Sequence, residues 1–386
     1  MEDSDLSFDP GLEHVLAGET RLSTIDGEAG ELVIGGFPLE ELAPNATYEE
    51  ALYLLWNDRL PTEEELSTFR SDLAAHRDLS DGALAAIREA AERRDDAMDA
   101  ERIGAACASL ARPAEEDTDG EVTTHERDAM VAVAQLPTAV AAYWRVANGE
   151  EPVAPRDDLT HAANYLWMLT GEEPTDEQVR GLETYLCSVI DHGFNASTYT
   201  ARVVASTESD VLSAVTGAVG ALKGPLHGGA PGPVLDMLEE IADHGDPQTW
   251  LTDRLDAGER LMGFGHRVYR VRDPRAAVLS EAAEEFYAGE ESAFFDLARD
   301  VESAAVSVLD ERKPGRSLET NVEFYTAVLL RGVGVPRELF SATFGVSRVG
   351  GWTAHCLEQY ADNRIVRPRS RYVGETGRTW TPVGER

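Results

Sequence analysis

Three short segments hold the residue types that could do chemistry: Gly224-Pro-Leu-His227-Gly-Gly-Ala230, Gly263-Phe-Gly-His266-Arg-Val-Tyr-Arg270-Val-Arg-Asp-Pro-Arg275 and Asn321-Val-Glu323-Phe-Tyr325. Glycines around the two histidines let backbone approach a ligand closely or take positive φ. Their bare N–H groups can also bind an anion or oxyanion. Glu323 stands between apolar neighbours, a setting that raises a carboxyl pKa and suits a general base. An ion-paired helix residue is the competing reading, and the residues alone weigh the two evenly. Arg270 and Arg275 follow His266 closely, and arginine suits bidentate capture of carboxylate or phosphate. In so acidic a chain, pairing with surface acids is the alternative for any one of them. Together these residues are equipped to deprotonate a carbon beside a carbonyl while cations hold a carboxylate substrate.

Other chemistries find less support. Gly263-Phe-Gly265 resembles the opening of a dinucleotide fingerprint, but no third glycine follows and no strand signal precedes it. The histidines His192, His227, His266 and His355 lack metal-ligand spacing, so no metal is expected. His355, in the small-residue stretch Gly350-Gly-Trp-Thr-Ala-His-Cys356, reads as a core histidine in a helix that packs closely in the core or at a subunit contact.

Composition bounds the rest. The 386 residues, 42% of them hydrophobic, can bury a sizeable core. The net charge is -37, and of 34 basic residues only Lys223 and Lys313 are lysine. That sign is wrong for nucleic acid. A surface kept soluble by carboxylates is one reading; the favoured one is a protein of a salt-rich cytoplasm, since molar salt shortens the Debye length to about 3 Å and screens carboxylate repulsion. Cys107, Cys187 and Cys356 are far apart with no C-x-x-C, which predicts reduced thiols and a cytoplasmic location. The acidic start reads as no signal peptide. No apolar run reaches the length of a membrane span.

The elements that must position these residues are helices. Apolar spacing predicts them over 48–56, from Thr62, and over about 80–94, 98–111, 125–148, 157–170, 175–189, 196–206, 209–222, 231–243, 275–288, 293–312, 319–332 and 336–360. Leu22–Gly27 and Glu31–Gly35 flank a glycine-containing turn and predict a small hairpin. Pro113–Gly120 reads as an acidic surface loop. The expected fold class is all-α, with the histidine segments between helices.

Read together, the motifs resemble the citrate synthase family over nearly the whole chain. Gly11–Thr20, Ile25-Asp-Gly, Asp191-His192-Gly-Phe-Asn195-Ala-Ser-Thr198, the two glycine-rich histidine segments, Asp273-Pro-Arg275 and the tail Arg367-Pro-Arg-Ser-Arg-Tyr-Val-Gly374 carry the likeness. It implies a helical homodimer with the large domain at 1–222, a small domain at 223–330 carrying the CoA and catalytic segments, and a return at 331–386 with a C-terminal arm. It also implies condensation of acetyl-CoA, a substrate rather than a cofactor, with oxaloacetate and water to give citrate and CoA. No cofactor or metal is implied. By the same likeness Glu323 is the base, His227 holds the thioester oxygen, and His266 polarises the ketone. His192, Arg275, Arg348 and Arg367 hold oxaloacetate, with Arg367 donated across the dimer. Met262, Gly263, Phe264 and Gly265 lie along the adenine, and Arg270 and Arg316 meet CoA phosphates. The family's base is usually aspartate, although members resembling this chain also carry glutamate. Val189 stands where many members have histidine, and Arg316 where lysine is common. 2-Methylcitrate synthesis from propionyl-CoA and a non-catalytic CoA- or oxaloacetate-binding paralogue are the alternatives.

Overall fold

The computed structural model describes residues 8–94, 96–111, 123–227, 231–266, 268–288, 292–316 and 318–386. The acidic stretch 113–120, the Gly228-Gly-Ala230 end of the first histidine segment, Arg267 and the acidic start at 1–5 lie outside these residues.

The chain is helical, with one antiparallel sheet near its start made of β1 (Ser23–Asp26), β2 (Glu31–Ile34) and β3 (Phe37–Pro38) in that order. The predicted hairpin is β1-β2, pairing Ser23 with Ile34 and Asp26 with Glu31. Leu22, Leu32 and Ile34 root it in the core. The two-residue β3 is too short to leave a sequence pattern.

The helices are α1 (Leu39–Leu42), α2 (Tyr48–Asn57), α3 (Glu63–Ala74), α4 (Asp81–Glu92), α5 (Ala97–Cys107), α6 (Thr124–Ala147), α7 (His161–Thr170) and α8 (Asp176–Val189). They continue as α9 (Ala196–Ala205), α10 (Val211–Leu222), α11 (Pro231–His244), α12 (Pro247–Asp256), α13 (Pro274–Phe286), α14 (Ser292–Arg312), α15 (Val322–Gly332) and α16 (Phe340–Ala361). Thr62 caps α3 in a reciprocal capping box with Glu65, and α2, α6 and α8 start the same way.

Three helices begin later than their apolar spacing predicts. Thr160 and Asn321 take the N-cap of α7 and α15, and a short 3₁₀ turn at Arg337–Leu339 precedes α16. α12 was hidden because it is largely polar and fully buries only Leu251.

α16 is the central helix, packed against α2, α5, α6, α8, α9 and α10. Its glycine pair has a specific use. A methyl on Gly351 would overlap the Ile190 carbonyl, and one on Gly350 would lie 2.7 Å from the Tyr48 hydroxyl. The small residues therefore admit the turn after α8, which carries Asp191 and His192, directly onto α16. His355 is fully buried, with hydrogen-bond partners on both ring nitrogens, as a core histidine should be.

Candidate active site

Two backbone segments are zipped together to set His266 and Glu323. The loop Met262–Gly265 runs antiparallel to residues 319–321, with Phe264 bridging Thr320. Gly265 N–H donates to Glu319 O at 2.7 Å, and Asn321 N–H to Gly263 O at 2.9 Å. Gly263 and Gly265 have φ of 85° and 82°, a region that favours glycine. Asn321 explains the Asn-Val-Glu motif. Its Oδ1 caps α15 by accepting from Glu323 N–H at 3.0 Å, while its Nδ2 donates to Gly265 O at 3.0 Å. One side chain thus ties the start of Glu323's helix to the residue before His266. Glu323 is pushed up to about 7 by burial, against the lowering effect of Arg275. A carboxyl at that value is suited to proton abstraction near neutral pH.

The tautomers of the two glycine-flanked histidines follow from backbone donors. His266 Nδ1 accepts from the N–H groups of Val268 (3.0 Å) and Tyr269 (3.2 Å). Burial, then the Arg275 charge, lowers it to about 4, so near pH 7 the ring is neutral and carries its proton on Nε2. That atom lies 3.4 Å from Arg275 Nη2. Both are donors, so they converge where a substrate oxygen would accept from each. His227 has the opposite arrangement. Its Nε2 accepts from Ser197 N–H at 3.2 Å, and the Ser197 hydroxyl, 2.8 Å from the same atom, accepts from Trp352 Nε1 at 3.1 Å. Burial, then Arg348, lowers His227 to about 4. Its proton therefore resides on Nδ1, which is left as a donor.

Two buried arginines complete the cluster. Arg275 forms a bidentate pair with Asp273, Nε to Oδ1 at 3.0 Å and Nη2 to Oδ2 at 2.8 Å. Asp273 also caps α13. Arg348 on α16 is different. Its Nε donates to Val189 O at 2.7 Å, and among the described residues no carboxylate forms an ion pair with it. Burial lowers its guanidinium to about 10, the Asp191 carboxylate opposes that, and the like charge of Arg275 adds to it. A buried cation is costly unless anions balance it, and Asp191, whose oxygens are taken by Ser23 and His355, acts on Arg348 only without contact. Val189 makes its contact with Arg348 through the backbone carbonyl, so the contact does not depend on the side chain at that position. His192 holds the space between. Its Nε2 is 3.1 Å from the Tyr269 hydroxyl, and its ring is 6.0 Å from that of His266. Burial, then Arg275, Arg348 and His266, keeps it far below the usual histidine range.

The structure thus brings His192, His227, His266, Arg275, Glu323 and Arg348 into one electrostatic neighbourhood. Arg270 and Arg316 are exposed, and Met262 and Phe264 are half-buried in the loop beside Asn321. Arg367 is exposed on the extended tail after α16 rather than within the cluster. Sequence reasoning missed Ser197, Tyr269, Asp273 and Trp352 as supports. Only Asp273, next to Pro274 and Arg275 in a helix-start pattern, left a local signal.

Comparison with known proteins identifies the family. The family model for the citrate synthase C-terminal domain matches residues 11–369. The citrate synthase of Haloferax volcanii is 47% identical over 97% of this chain and 98% of its own. The 2-methylcitrate synthase of Shewanella oneidensis is 35% identical over the full length of both. Among solved structures, the ternary complex of carboxymethyl coenzyme A and oxaloacetate with citrate synthase from Thermoplasma acidophilum superposes with a TM-score of 0.86. It is 31% identical, covering 98% of this chain and 100% of that one. With a family match along almost its whole length and a citrate synthase relative at nearly half identity, this all-α chain belongs to the citrate synthase family.

Proposed function

We propose that the chain condenses acetyl-CoA with oxaloacetate and water to give citrate and free CoA, with Glu323 as the base. The observation that carries this reading is one cluster holding a carboxyl near 7, two neutral histidines with opposite tautomers, and a buried arginine that forms no ion pair with a carboxylate among the described residues.

Glu323 takes a proton from the acetyl methyl group, and His227 Nδ1–H stabilises the enolate oxygen. The enolate carbon then attacks the ketone carbon of oxaloacetate. His266 Nε2–H, with Arg275 beside it, polarises the ketone oxygen and protonates the alkoxide. Water cleaves the resulting thioester, releasing CoA. His192, Arg275 and Arg348 hold the oxaloacetate carboxylates. Met262–Gly265 takes the adenine, and Arg270 and Arg316 the CoA phosphates. The two histidine donors act on charge that grows only toward the transition state, where such stabilisation counts most. The reaction calls for no metal or prosthetic group. The three free cysteines suit a cytoplasmic setting.

CoA release in molar KCl with oxaloacetate tests the reading. Faster turnover with acetyl-CoA than with propionyl-CoA is expected. The reverse order would favour 2-methylcitrate synthesis, which the Shewanella oneidensis relative keeps in view, because one methylene is worth only about 1–3 kcal/mol in a pocket. CoA binding without turnover on either thioester would favour a binding protein.

The active form is a homodimer in which Arg367 completes the partner's oxaloacetate site. The exposed Tyr372, Val373, Trp380 and Val383 on the same tail support a role in subunit contact. Arg367→Ala is expected to abolish oxaloacetate turnover. Mixed in equal amounts with Glu323→Gln chains, it should regain about a quarter of normal activity, since half the dimers then hold one intact site of two. No recovery after verified subunit exchange would mean that Arg367 acts within its own chain.

A further inference from the structure

The two ends of β1 meet two different parts of the site. At its first residue, the Ser23 hydroxyl donates to Asp191 Oδ2 at 2.5 Å and accepts from Gly193 N–H at 2.9 Å. One hydroxyl therefore grips the chain on both sides of His192. Asp191 is fully buried. Its other oxygen lies 3.1 Å from His355 Nε2, and His355 Nδ1 lies 3.1 Å from Arg202 Nη1. The grip is thus anchored to α16 and α9.

At the far end, the turn after β1 seats the His266 loop. Gly27 O accepts from Arg270 N–H at 2.8 Å. A methyl on Gly27 would overlap Val268 O, and one on Gly30 would lie 2.6 Å from Val271 Cγ2. At Gly27 backbone packs on backbone, and at Gly30 the neighbour is the short, β-branched Val271 side chain, so little there can absorb a shift. Three residue steps of paired strand span about 10 Å, and the β1-β2 ladder stiffens them.

We infer that the hairpin is a splint that sets the separation between the His192 turn and the His266 loop, and that Ser23 is a positioning residue for His192. The inference rests on the proposed reaction, in which both histidines serve oxaloacetate. Without the hydroxyl, Asp191 loses a donor and Gly193 N–H its main acceptor, in a part-buried place where lost partners are costly. The turn then relaxes and moves His192 with it.

Ser23→Ala and Ser23→Thr test this, with oxaloacetate binding measured by calorimetry beside steady-state kinetics. Ser23→Ala is expected to raise the Kd and KM for oxaloacetate about tenfold, a fraction of the roughly hundredfold effect of a full ångström of misplacement. The KM for acetyl-CoA should stay within about twofold, because Ser23 grips the His192 turn, whereas Arg270, assigned to CoA, meets the opposite end of the splint at Gly27. Ser23→Thr keeps the hydroxyl on a strand-compatible residue and should restore oxaloacetate binding. Gly27→Ala perturbs the other end of the splint and should also weaken oxaloacetate binding, which covers the case of a poorly folded Ser23→Ala.

Unchanged oxaloacetate Kd in Ser23→Ala would overturn the inference alone. Equal losses of binding and Tm in Ser23→Ala and Ser23→Thr would also overturn it, by showing a packing site. Failure of the unaltered protein to bind oxaloacetate would overturn the proposed reaction and this inference together.

Discussion

Glu323→Gln is expected to lower kcat for CoA release by about 10³-fold while oxaloacetate still binds, because a positioned general base contributes roughly 10²–10⁴-fold. Glutamine keeps the size of the side chain and the cap on its N–H from Asn321, so α15 and the zipped loop should be undisturbed. The buried arginines that would bind oxaloacetate are untouched, and with one carboxylate fewer the site is slightly more cationic. Unaltered turnover in Glu323→Gln would remove the base from the mechanism. Glu323→Asp gives a finer result. It keeps the charge but withdraws it by one methylene, so activity should persist within about a hundredfold of the original.

The same residue fixes the pH profile. A base must be ionised to act, and Glu323 titrates near 7, so kcat should fall as pH drops through about 7. His227 and His266 titrate near 4 and remain neutral donors across that limb. The limb therefore belongs to the carboxyl. Activity flat from pH 8 to pH 5 would contradict the assignment.

How much of this was legible in the sequence depends on the range of each interaction. Asn321-Val-Glu323 was readable because cap and capped residue are near neighbours, and the same holds for Thr62 with Glu65. The glycines flanking Phe264 announced unusual backbone but not its partner, residues 319–321. The evenly weighed readings of Glu323 separate only in three dimensions. Burial raises its pKa, and Arg275, the cation that acts on it among the described residues, is already paired with Asp273. The support for His227 comes from Ser197 and Trp352, which are 30 and 125 positions away in the chain. Nothing in their local composition marks them. The small residues at 350–351 pointed to close packing without naming what approaches, which is the turn bearing His192.

The second large effect concerns the fold itself. Melting in dilute buffer is expected at least about 10 °C below melting in molar KCl, which at roughly 1.2 °C per kcal/mol for a chain of this size is about 8 kcal/mol of relieved repulsion. The chain carries 71 acidic and 34 basic residues, and several arginines are already committed inside, as with Arg275 to Asp273 and Arg202 to Glu358. Each of these pairs removes one charge of either sign, so the acidic excess of 37 remains for the rest of the molecule. At low ionic strength this repulsion acts over tens of ångströms, whereas at 1 M salt it is confined to about 3 Å, less than the spacing of most surface carboxylates. Self-repulsion of this kind destabilises the compact state. The arginine-rich site adds a contrasting dependence, because screening that protects the fold also weakens long-range attraction of a dianionic substrate. Stability should thus rise with salt while the association rate of oxaloacetate falls. Calorimetric scans and stopped-flow binding across 0.05–2 M KCl separate the two trends, and a Tm that stays flat over that range would contradict the screening argument.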